Sequence, residues 1–224
     1  MNQGELFNSS SPVIGEVEEN LRKEGIRTVI GVDEAGRGPL AGPVHAAAFW
    51  LDLGSPLPEA LEELDDSKKL QEATRERLYD ALQKEGRPMA IGVCEAAVID
   101  EINILQATFR AMKSAVEEVI AMTGEPPDLV LVDGKMVIPE VEWNQQALIK
   151  GDCKSRAIAA ASILAKVSRD RVMREADKRW PHFGFVSNKG YGSAMHRKAL
   201  RKYGPCELHR RSFAGVLPED EFSS

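Results

Sequence analysis

Apolar residues along this chain follow two spacings, one typical of buried strands and one typical of helices. Short runs rich in valine, isoleucine, leucine and alanine predict strands at residues 28–32, 41–51, 88–98, 129–132 and 147–149. Apolar positions three and four residues apart predict helices at residues 13–24, 71–84, 102–122, 155–180 and 193–203. Glycine, proline and polar residues separate these segments, so the pattern predicts strands and helices joined by loops.

Acidic residues stand where several predicted strands end. The strand Thr28–Val32 leads directly into two carboxylates and then into a glycine-rich turn. The fully apolar run Leu129–Val132, which suits the centre of a sheet, leads in the same way into an aspartate and a glycine. A third aspartate closely follows the short strand at 147–149. The acidic residues at these three ends are Asp33 with Glu34, Asp133, and Asp152.

Such carboxylates predict a divalent-metal site. Carboxylates at buried strand ends lose hydration and repel one another, so they usually accompany a cation, an arginine or a reaction. Neighbouring strands lie about 4.8 Å apart, which brings their end residues within reach of one site. Hard oxygen ligands suit Mg²⁺ or Mn²⁺, and two ions about 4 Å apart can clamp the attacking and leaving oxygens of a phosphodiester. A capping role would account for Asp33 alone, but three acidic strand ends favour metal.

The adjacency of Asp33 and Glu34 poses a difficulty for that site. Consecutive residues of a regular strand point to opposite faces of the sheet. Two explanations stay open: the strand breaks at Asp33, or Glu34 contributes differently, through water or its carbonyl oxygen.

Length and composition bound the kind of protein. The chain has 224 residues and is 43% hydrophobic, enough for the core of one domain, with or without a small appendage. Its first residues lack the charged and apolar regions of a secretion signal, and no apolar run has membrane-spanning length. Its 3 cysteines lack the close pairing of zinc sites. We therefore expect a cytoplasmic protein with reduced thiols and no membrane partner.

The net charge of −6 conceals a segregation of charge along the chain. Residues 1–149 hold 13 Lys and Arg against 27 Asp and Glu, whereas residues 150–211 hold 16 against 5. A basic region beside a carboxylate cluster could hold a phosphate backbone across a metal site. The alternative, which charge alone does not exclude, is that these side chains only solvate exposed helix faces.

Several motifs together resemble type 2 ribonuclease H, whose bacterial form is ribonuclease HII. They occur in the family's order over about residues 28–213 and are therefore more specific than any single motif. The matching stretches are Val32-Asp33-Glu34-Ala35-Gly36-Arg37-Gly38-Pro39-Leu40-Ala41-Gly42-Pro43-Val44, Asp66-Ser67-Lys68-Lys69-Leu70, Val132-Asp133-Gly134, Lys150-Gly151-Asp152, Ala160-Ala161-Ser162-Ile163-Leu164-Ala165-Lys166-Val167-Ser168-Arg169-Asp170 and Asn188-Lys189-Gly190-Tyr191-Gly192.

This resemblance implies a fold and an activity. The expected fold is the α/β ribonuclease H-like fold, with a mixed central β-sheet flanked by helices and a small helical C-terminal extension. The expected activity is two-metal hydrolysis of RNA in RNA–DNA hybrids and nicking on the 5′ side of ribonucleotides embedded in duplex DNA, by a monomer. We expect a peripheral segment at 1–26, the catalytic domain at 27–216, with 181–216 contacting substrate, and an acidic tail at 217–224.

The resemblance also assigns roles to individual residues. It implies four metal-binding catalytic carboxylates, a loop that senses the ribose 2′-hydroxyl, an aromatic ring that packs on the following sugar, and a phosphate contact. In that order these are Asp33, Glu34, Asp133 and Asp152; Gly36, Arg37 and Gly38; Tyr191; and Lys68. Cys153 departs from the family, where a serine or alanine is more familiar, and raises the question of oxidation sensitivity.

Three other interpretations compete with this one. Asp170 competes for the fourth metal position, but Lys166 precedes it by four residues, so an intrahelical salt bridge is favoured. Residues 36–41 fit the G-x-G-x-x-A dinucleotide fingerprint, although Pro39 and Pro43 disfavour the helix that this motif requires. A non-catalytic nucleic-acid-binding module would use the basic region alone, and would leave a ribonucleotide-containing strand uncut.

Overall fold

Five strands form one mixed sheet in the computed structural model, which describes residues 13–56, 62, 64 and 70–217. The sheet order is β3-β2-β1-β4-β5. β1 is antiparallel to β2, which is antiparallel to β3, whereas β4 and β5 run parallel to β1 and to each other. The strands are β1 (Thr28–Ala35), β2 (Val44–Asp52), β3 (Met89–Cys94), β4 (Leu129–Asp133) and β5 (Gln145–Leu148). The predicted α/β architecture with a mixed central sheet is confirmed.

Helices cover both faces of this sheet. They are α1 (Glu16–Lys23), α2 (Glu72–Lys84), α3 (Ala96–Thr123), α4 (Arg156–Arg179), α5 (Phe185–Asn188) and α6 (Ala194–Tyr203), with 3₁₀ turns at Gly151–Cys153 and Pro181–Phe183. Two serines fix helix starts, because Ser155 accepts a hydrogen bond from the Ile158 amide and Ser193 accepts one from the His196 amide. The α4 and α6 predictions were therefore accurate to within one residue at each end.

The alternation of side chains along β1 builds two apolar layers. Val29 faces the layer that contains α4, whereas Ile30 and Val32 face the layer that contains α3. At Gly31 the backbone of α4 comes so close that a Cβ atom would lie 2.1 Å from the carbonyl carbon of Ala157. This close approach fixes α4 directly against the strand that leads to Asp33.

Several predicted strands have different bounds in the structure: β1 continues to Ala35, β5 begins at Gln145, and β2 and β3 also differ. The strand expected at 88–98 ends at Cys94, because Ala96 and Ile99 are buried at helical spacing and already belong to α3. α3 itself is interrupted at Asn103, whose side-chain oxygen accepts hydrogen bonds from the amides of Leu105 and Gln106 and so starts the second part of the helix. The strand expected at 41–51 begins only at Val44, since the preceding residues form a loop.

The described part of the N-terminal segment packs into the domain. Leu21 belongs to the buried apolar layer around α4. The Glu18 carboxylate is also buried, and its Oε1 accepts hydrogen bonds from Ser155 Oγ at 2.6 Å and from the Ala157 amide at 3.1 Å. α1 thus stabilises the start of α4, where a carboxylate interacts favourably with the helix dipole.

The C-terminal part forms a smaller helical layer beside α4. Phe183, Phe185 and Leu200 form a third buried cluster with Leu40 and Met173. This cluster joins the C-terminal extension to the loop after β1, in agreement with the expected helical extension. Across the described residues, none of the helices combines the length and apolarity needed to span a membrane.

Candidate metal and nucleic-acid site

The parallel pairing of β1 with β4 brings two aspartates to the same edge of the sheet. Val32 pairs with Val132, so the next residue of each strand, Asp33 or Asp133, emerges at the same end. β1 continues beside β2 as far as Ala35, but its pairing with β4 stops at Val32. A pocket of about 270 Å³ opens there, and Asp33, Glu34 and Asp133 all line it.

Asp33 is the most deeply buried carboxylate of this pocket. Its side chain is 5% exposed, and Oδ1 accepts a hydrogen bond from the Glu34 amide at 2.7 Å. Burial raises the pKa of Asp33 well above its usual range, and the charges of Glu34 and Asp133 raise it further. A hydrogen bond with Ser162 of α4 acts in the opposite direction. Asp33 is therefore a carboxylate whose ionised form is disfavoured by its surroundings.

Glu34 lines the same pocket as Asp33, although the strand does not break between them. β1 is continuous through Ala35, which removes the first of the two explanations for this pair. Burial raises the pKa of Glu34, while the Arg37 guanidinium, with its nitrogen 3.3 Å from Glu34 Oε1, lowers it. Because the pairing with β4 has already ended, the pocket extends around the end of β1 and is reached by both side chains.

Asp133 links the pocket to the turn that carries Asp152. Its Oδ1 accepts a hydrogen bond from the Gly151 amide at 2.7 Å. The expectation that Asp152 stands at a strand end was wrong, because β5 ends at Leu148 and Asp152 lies in the 3₁₀ turn that follows. Asp152 is buried and is not among the residues that line the pocket, and Cys153 Sγ lies 3.5 Å from its Oδ1.

The pocket carboxylates fit a hard divalent cation by their chemistry. In the part of the chain that the structure describes, no three His, Cys, Asp or Glu side chains are arranged to coordinate one ion. Instead the three carboxylates interact with the Glu34 amide, Arg37 and the Gly151 amide. They nonetheless supply three oxygen ligand groups to one polar pocket, and a cation there would offset the burial and the repulsion that raise the Asp33 pKa.

The glycine-rich loop and Tyr191 form another part of the wall of this pocket. Gly36, Arg37, Gly38 and Tyr191 all line it, and the Tyr191 side chain is 50% exposed. A Cβ atom on Gly38 would lie 3.6 Å from Tyr191 Cε1. The structure thus brings together, in one pocket, three predicted carboxylates and four residues predicted to contact substrate.

Two buried arginines that the sequence analysis missed hold this loop in place. Arg210 donates five hydrogen bonds of 2.6 to 2.9 Å, all to carbonyl oxygens of residues 36, 37, 39 and 42. Arg169 donates to the carbonyls of Ala41, Pro43 and Lys189. Burial lowers the pKa of Arg169 to about 10 and that of Arg210 to about 9. Both guanidinium groups therefore stay charged at neutral pH.

A sequence signal for Arg169 existed, because Ser162, Lys166 and Arg169 stand at helical spacing and line the same pocket. Arg210 lies in an irregular segment and has no such periodicity.

The interpretation of Asp170 as an intrahelical partner is confirmed. Lys166 Nζ lies 2.7 Å from Asp170 Oδ1, and Asp170 does not line the pocket. Lys166 itself does line the pocket, which places a positive charge near the carboxylates.

The positive charge of the basic region is partly neutralised within the domain. Arg171 pairs with Glu76 at 2.6 Å, and Arg174 pairs with Glu72 at 2.7 Å, so two arginines of α4 face acidic residues of α2. Together with the two buried arginines, they reduce the charge available to a polyanion. Lys68, the expected phosphate contact, lies outside the described residues.

The dinucleotide-binding alternative is wrong. The loop after β1 leads into strand β2 and not into a helix, so the helix N-terminus that would receive a pyrophosphate is missing at this position.

The sequence is similar to ribonucleases of one family. The family described as Ribonuclease HII matches residues 30–216. The Ribonuclease HII of Caldicellulosiruptor bescii is 51% identical over 198 residues, which cover 88% of this chain and 92% of that protein. The Ribonuclease HII of Geobacter sulfurreducens is 49% identical over 205 residues, with coverage of 92% and 90%.

Solved structures of related enzymes have the same fold. Ribonuclease H2 from Pyrococcus horikoshii superposes with a TM-score of 0.67 at 28% identity, covering 84% of this chain and 95% of that one. The RNase HII of Archaeoglobus fulgidus, solved in a complex with PCNA, gives a TM-score of 0.66 at 26% identity, with coverage of 87% and 100%.

Proposed function

Because the chain belongs to the ribonuclease HII family, and is thus a metal-dependent endonuclease acting on RNA–DNA hybrids, we propose that it also nicks duplex DNA on the 5′ side of an embedded ribonucleotide. One observation carries this proposal. Three carboxylates occupy the same pocket as a glycine-rich loop and an aromatic ring that can read a sugar.

The proposed metal ligands are Asp33, Glu34, Asp133 and Asp152, which would hold two ions of Mg²⁺ or Mn²⁺. When bound, such ions activate water and stabilise the departing 3′ oxygen of a phosphodiester. Because water and not the 2′-hydroxyl is the proposed nucleophile, the products carry 5′-phosphate and 3′-hydroxyl ends. The hydrogen bond from the Gly151 amide to Asp133 sets the position of the turn that carries Asp152.

The loop after β1 is proposed to read the ribose. The Gly36 and Arg37 carbonyls accept hydrogen bonds from Arg210, and the N–H of a trans peptide points opposite to its carbonyl. The amides of Arg37 and Gly38 therefore point away from Arg210. They can donate to a 2′-hydroxyl, the group that distinguishes RNA from DNA.

Tyr191 is proposed to pack on the sugar that follows the ribonucleotide. A 2′-hydroxyl on that sugar would crowd the ring, whereas a deoxyribose would not. The loop and the ring would together select a ribose followed by a deoxyribose.

The remaining assignments concern substrate contacts and setting. We propose that residues 27–216 form the catalytic domain, that 181–216 contact the duplex, and that Lys68 binds a phosphate. We also propose that the protein acts as a monomer in the cytoplasm, where its free cysteines stay reduced.

Nick mapping on synthetic duplexes tests this function. The substrates are one DNA duplex with a single ribonucleotide and the same duplex made only of DNA, each with Mg²⁺, with Mn²⁺ and with EDTA. We expect one metal-dependent nick 5′ of the ribonucleotide, a 3′-hydroxyl that a polymerase extends, and no cleavage of the all-DNA duplex. A 2′,3′-cyclic phosphate end would contradict water as the nucleophile, and binding without cleavage would favour the non-catalytic module.

A further inference from the structure

The side chain of Arg169 lies between two loops: the loop after β1, which is proposed to read the ribose, and the loop that carries Tyr191. The Arg169 side chain is 1% exposed. Its Nε donates to the Pro43 carbonyl at 2.9 Å and one terminal nitrogen donates to the Ala41 carbonyl at 3.0 Å. The other terminal nitrogen donates to the Lys189 carbonyl at 3.0 Å. One guanidinium therefore joins the end of the loop after β1 to the loop that carries Tyr191.

Further contacts converge on the same junction. The Leu40 amide donates to the Gly190 carbonyl at 2.9 Å, which is a direct bond between the two loops. Gly36 rests on the Arg169 side chain so closely that a Cβ atom would lie 2.0 Å from Nε. Arg169 thus contacts the first residue of the ribose-reading loop as well as both loop backbones.

Arg210 offers an internal comparison. It is also fully buried and also bonds only to backbone carbonyls through its described side-chain hydrogen bonds. All of those carbonyls belong to residues 36–42, so Arg210 fixes the shape of one loop. Arg169 differs because its bonds fix the separation of two loops.

We propose that Arg169 is a positioning residue that sets the spacing between the Gly36–Gly38 loop and Tyr191, and thereby the selectivity for a ribose followed by a deoxyribose. This inference rests on the proposed function, which assigns one sugar to each loop. Two adjacent sugars stand at a fixed spacing along a strand, so a reader of both needs its parts at a matching separation. Displacements of about 1 Å are enough to reduce catalysis strongly.

The planar fork of arginine is essential to this role. Lysine keeps the charge, but its single ammonium cannot reach three carbonyls in different directions with the same geometry. Arg169→Lys should therefore loosen the two loops relative to each other, while Arg210→Lys should distort one loop and leave the link from Arg169 to Lys189 intact.

The test compares these two variants with the unchanged protein. The measured quantity is the ratio of kcat/KM on a lone embedded ribonucleotide to kcat/KM within a uniform RNA–DNA hybrid. Arg169→Lys should lower this ratio about 10-fold, whereas Arg210→Lys should lower both rate constants and keep the ratio within about 2-fold. Adding Arg169→Lys to Tyr191→Ala should change the ratio no further. An unchanged ratio in Arg169→Lys, or an equal drop in Arg210→Lys, would overturn the proposal.

A second measurement does not depend on activity. The Leu40 amide bonds across the two loops, so its hydrogen exchange should become about 10-fold faster in Arg169→Lys than in the unchanged protein. If the Leu40 amide of Arg169→Lys is as well protected from hydrogen exchange as that of the unchanged protein, Arg169 does not hold the two loops together. If Tyr191→Ala alone leaves the substrate ratio unchanged, the proposed role of Tyr191 fails, and Leu40 exchange still decides whether Arg169 holds the loops together. Should the lysine variant not fold, Arg169→Gln serves for both measurements.

Discussion

Gly38 and Tyr191 are close neighbours in the wall of the pocket, since a Cβ atom on Gly38 would lie 3.6 Å from Tyr191 Cε1. The two residues come from distant parts of the chain, one from the loop after β1 and the other from the segment before α6. Their contact places a backbone that can approach a sugar closely next to a half-exposed aromatic face. In the proposed function, this pairing is what reads two successive sugars.

Replacing Tyr191 by alanine should therefore affect the two substrate types differently. We expect a loss of about 10-fold or more on a lone embedded ribonucleotide and a smaller loss within a long RNA–DNA hybrid, where no deoxyribose follows the cleaved ribose. Tyr191→Phe keeps the ring and should keep the preference. Steady-state kinetics on both substrates measure the difference, and equal losses would reduce Tyr191 to a packing residue.

Gly36→Ala should lower the activity on both substrates and reduce the stability of the fold. Gly36 has φ +96°, and an added Cβ would lie 2.0 Å from Arg169 Nε. A positive φ costs a non-glycine residue on the order of 1 kcal/mol, and displacing the buried guanidinium adds to that cost. Gly25→Ala is the matched control, because Gly25 has φ +87° but no atom within 4 Å of the added Cβ. In urea denaturation Gly36→Ala should be the less stable variant, and equal stability would show that Arg169 moves aside easily.

The salt dependence of duplex binding should separate the positive charges that line the pocket from those that pair α4 with α2. Arg37 and Lys166 line the pocket, whereas Arg171 is already paired with Glu76. Neutralising a residue that contacts phosphate lowers the slope of log K against log salt by about 1, so Arg37→Gln and Lys166→Gln should each do this. Arg171→Gln should leave the slope unchanged. Binding isotherms in EDTA at several salt concentrations measure the slope, and a slope equal to that of the unchanged protein in all three variants would show that Arg37 and Lys166 do not contact phosphate.

His196 and His209 form a neutral pair in the C-terminal layer. The Cys206 amide donates to His209 Nδ1, and His196 Nδ1 lies 2.9 Å from the Tyr191 carbonyl, which only accepts. The proton between the two Nε2 atoms, which are 2.9 Å apart, therefore belongs to His209. Burial, and after it the electrostatic effect of a charge on His196, lower the pKa of His209 to about 4.

This pair predicts a loss of stability in mild acid. The unfolded chain binds a proton at His209 near pH 6.5, whereas the folded chain resists it until about pH 4, so stability falls as the pH drops between these values. His209→Asn keeps an acceptor for the Cys206 amide but cannot titrate. The fall in Tm from pH 7 to pH 5 should be smaller in this variant, while His45 and the carboxylates contribute equally to both proteins. Parallel Tm curves would place the His209 pKa near its ordinary value.

The sequence was informative where local pattern decides the structure. Asp33 and Asp133 could be placed together because each directly follows an apolar run, and parallel pairing of those runs brings their ends to one edge. Asp152 could not be placed in the same way. Its position depends on a turn held by Asp133 and by the contacts of Glu18 at the start of α4.

The sequence could not show which arginines bind groups from distant segments of the chain. Arg169 and Arg210 read as members of a basic, solvent-facing region, yet both are buried among backbone carbonyls that come from distant segments. Every residue has a backbone carbonyl, so the sequence does not indicate which arginines bind carbonyls. Only the folded structure shows which arginines are already hydrogen-bonded. The same holds for Arg171, whose partner on α2 is set by helix packing.

The most direct test of the carboxylate pocket is a pair of thermal unfolding series, with EDTA and with increasing Mg²⁺ or Mn²⁺, on the unchanged protein and on Asp33→Asn. Asparagine keeps an oxygen for the Glu34 amide but removes the charge that burial, Glu34 and Asp133 disfavour. We predict that Asp33→Asn has the higher Tm in EDTA, and that added metal raises the Tm of the unchanged protein while leaving that of the variant nearly constant. A variant that is less stable in EDTA and gains as much from metal as the unchanged protein would contradict a metal site at Asp33.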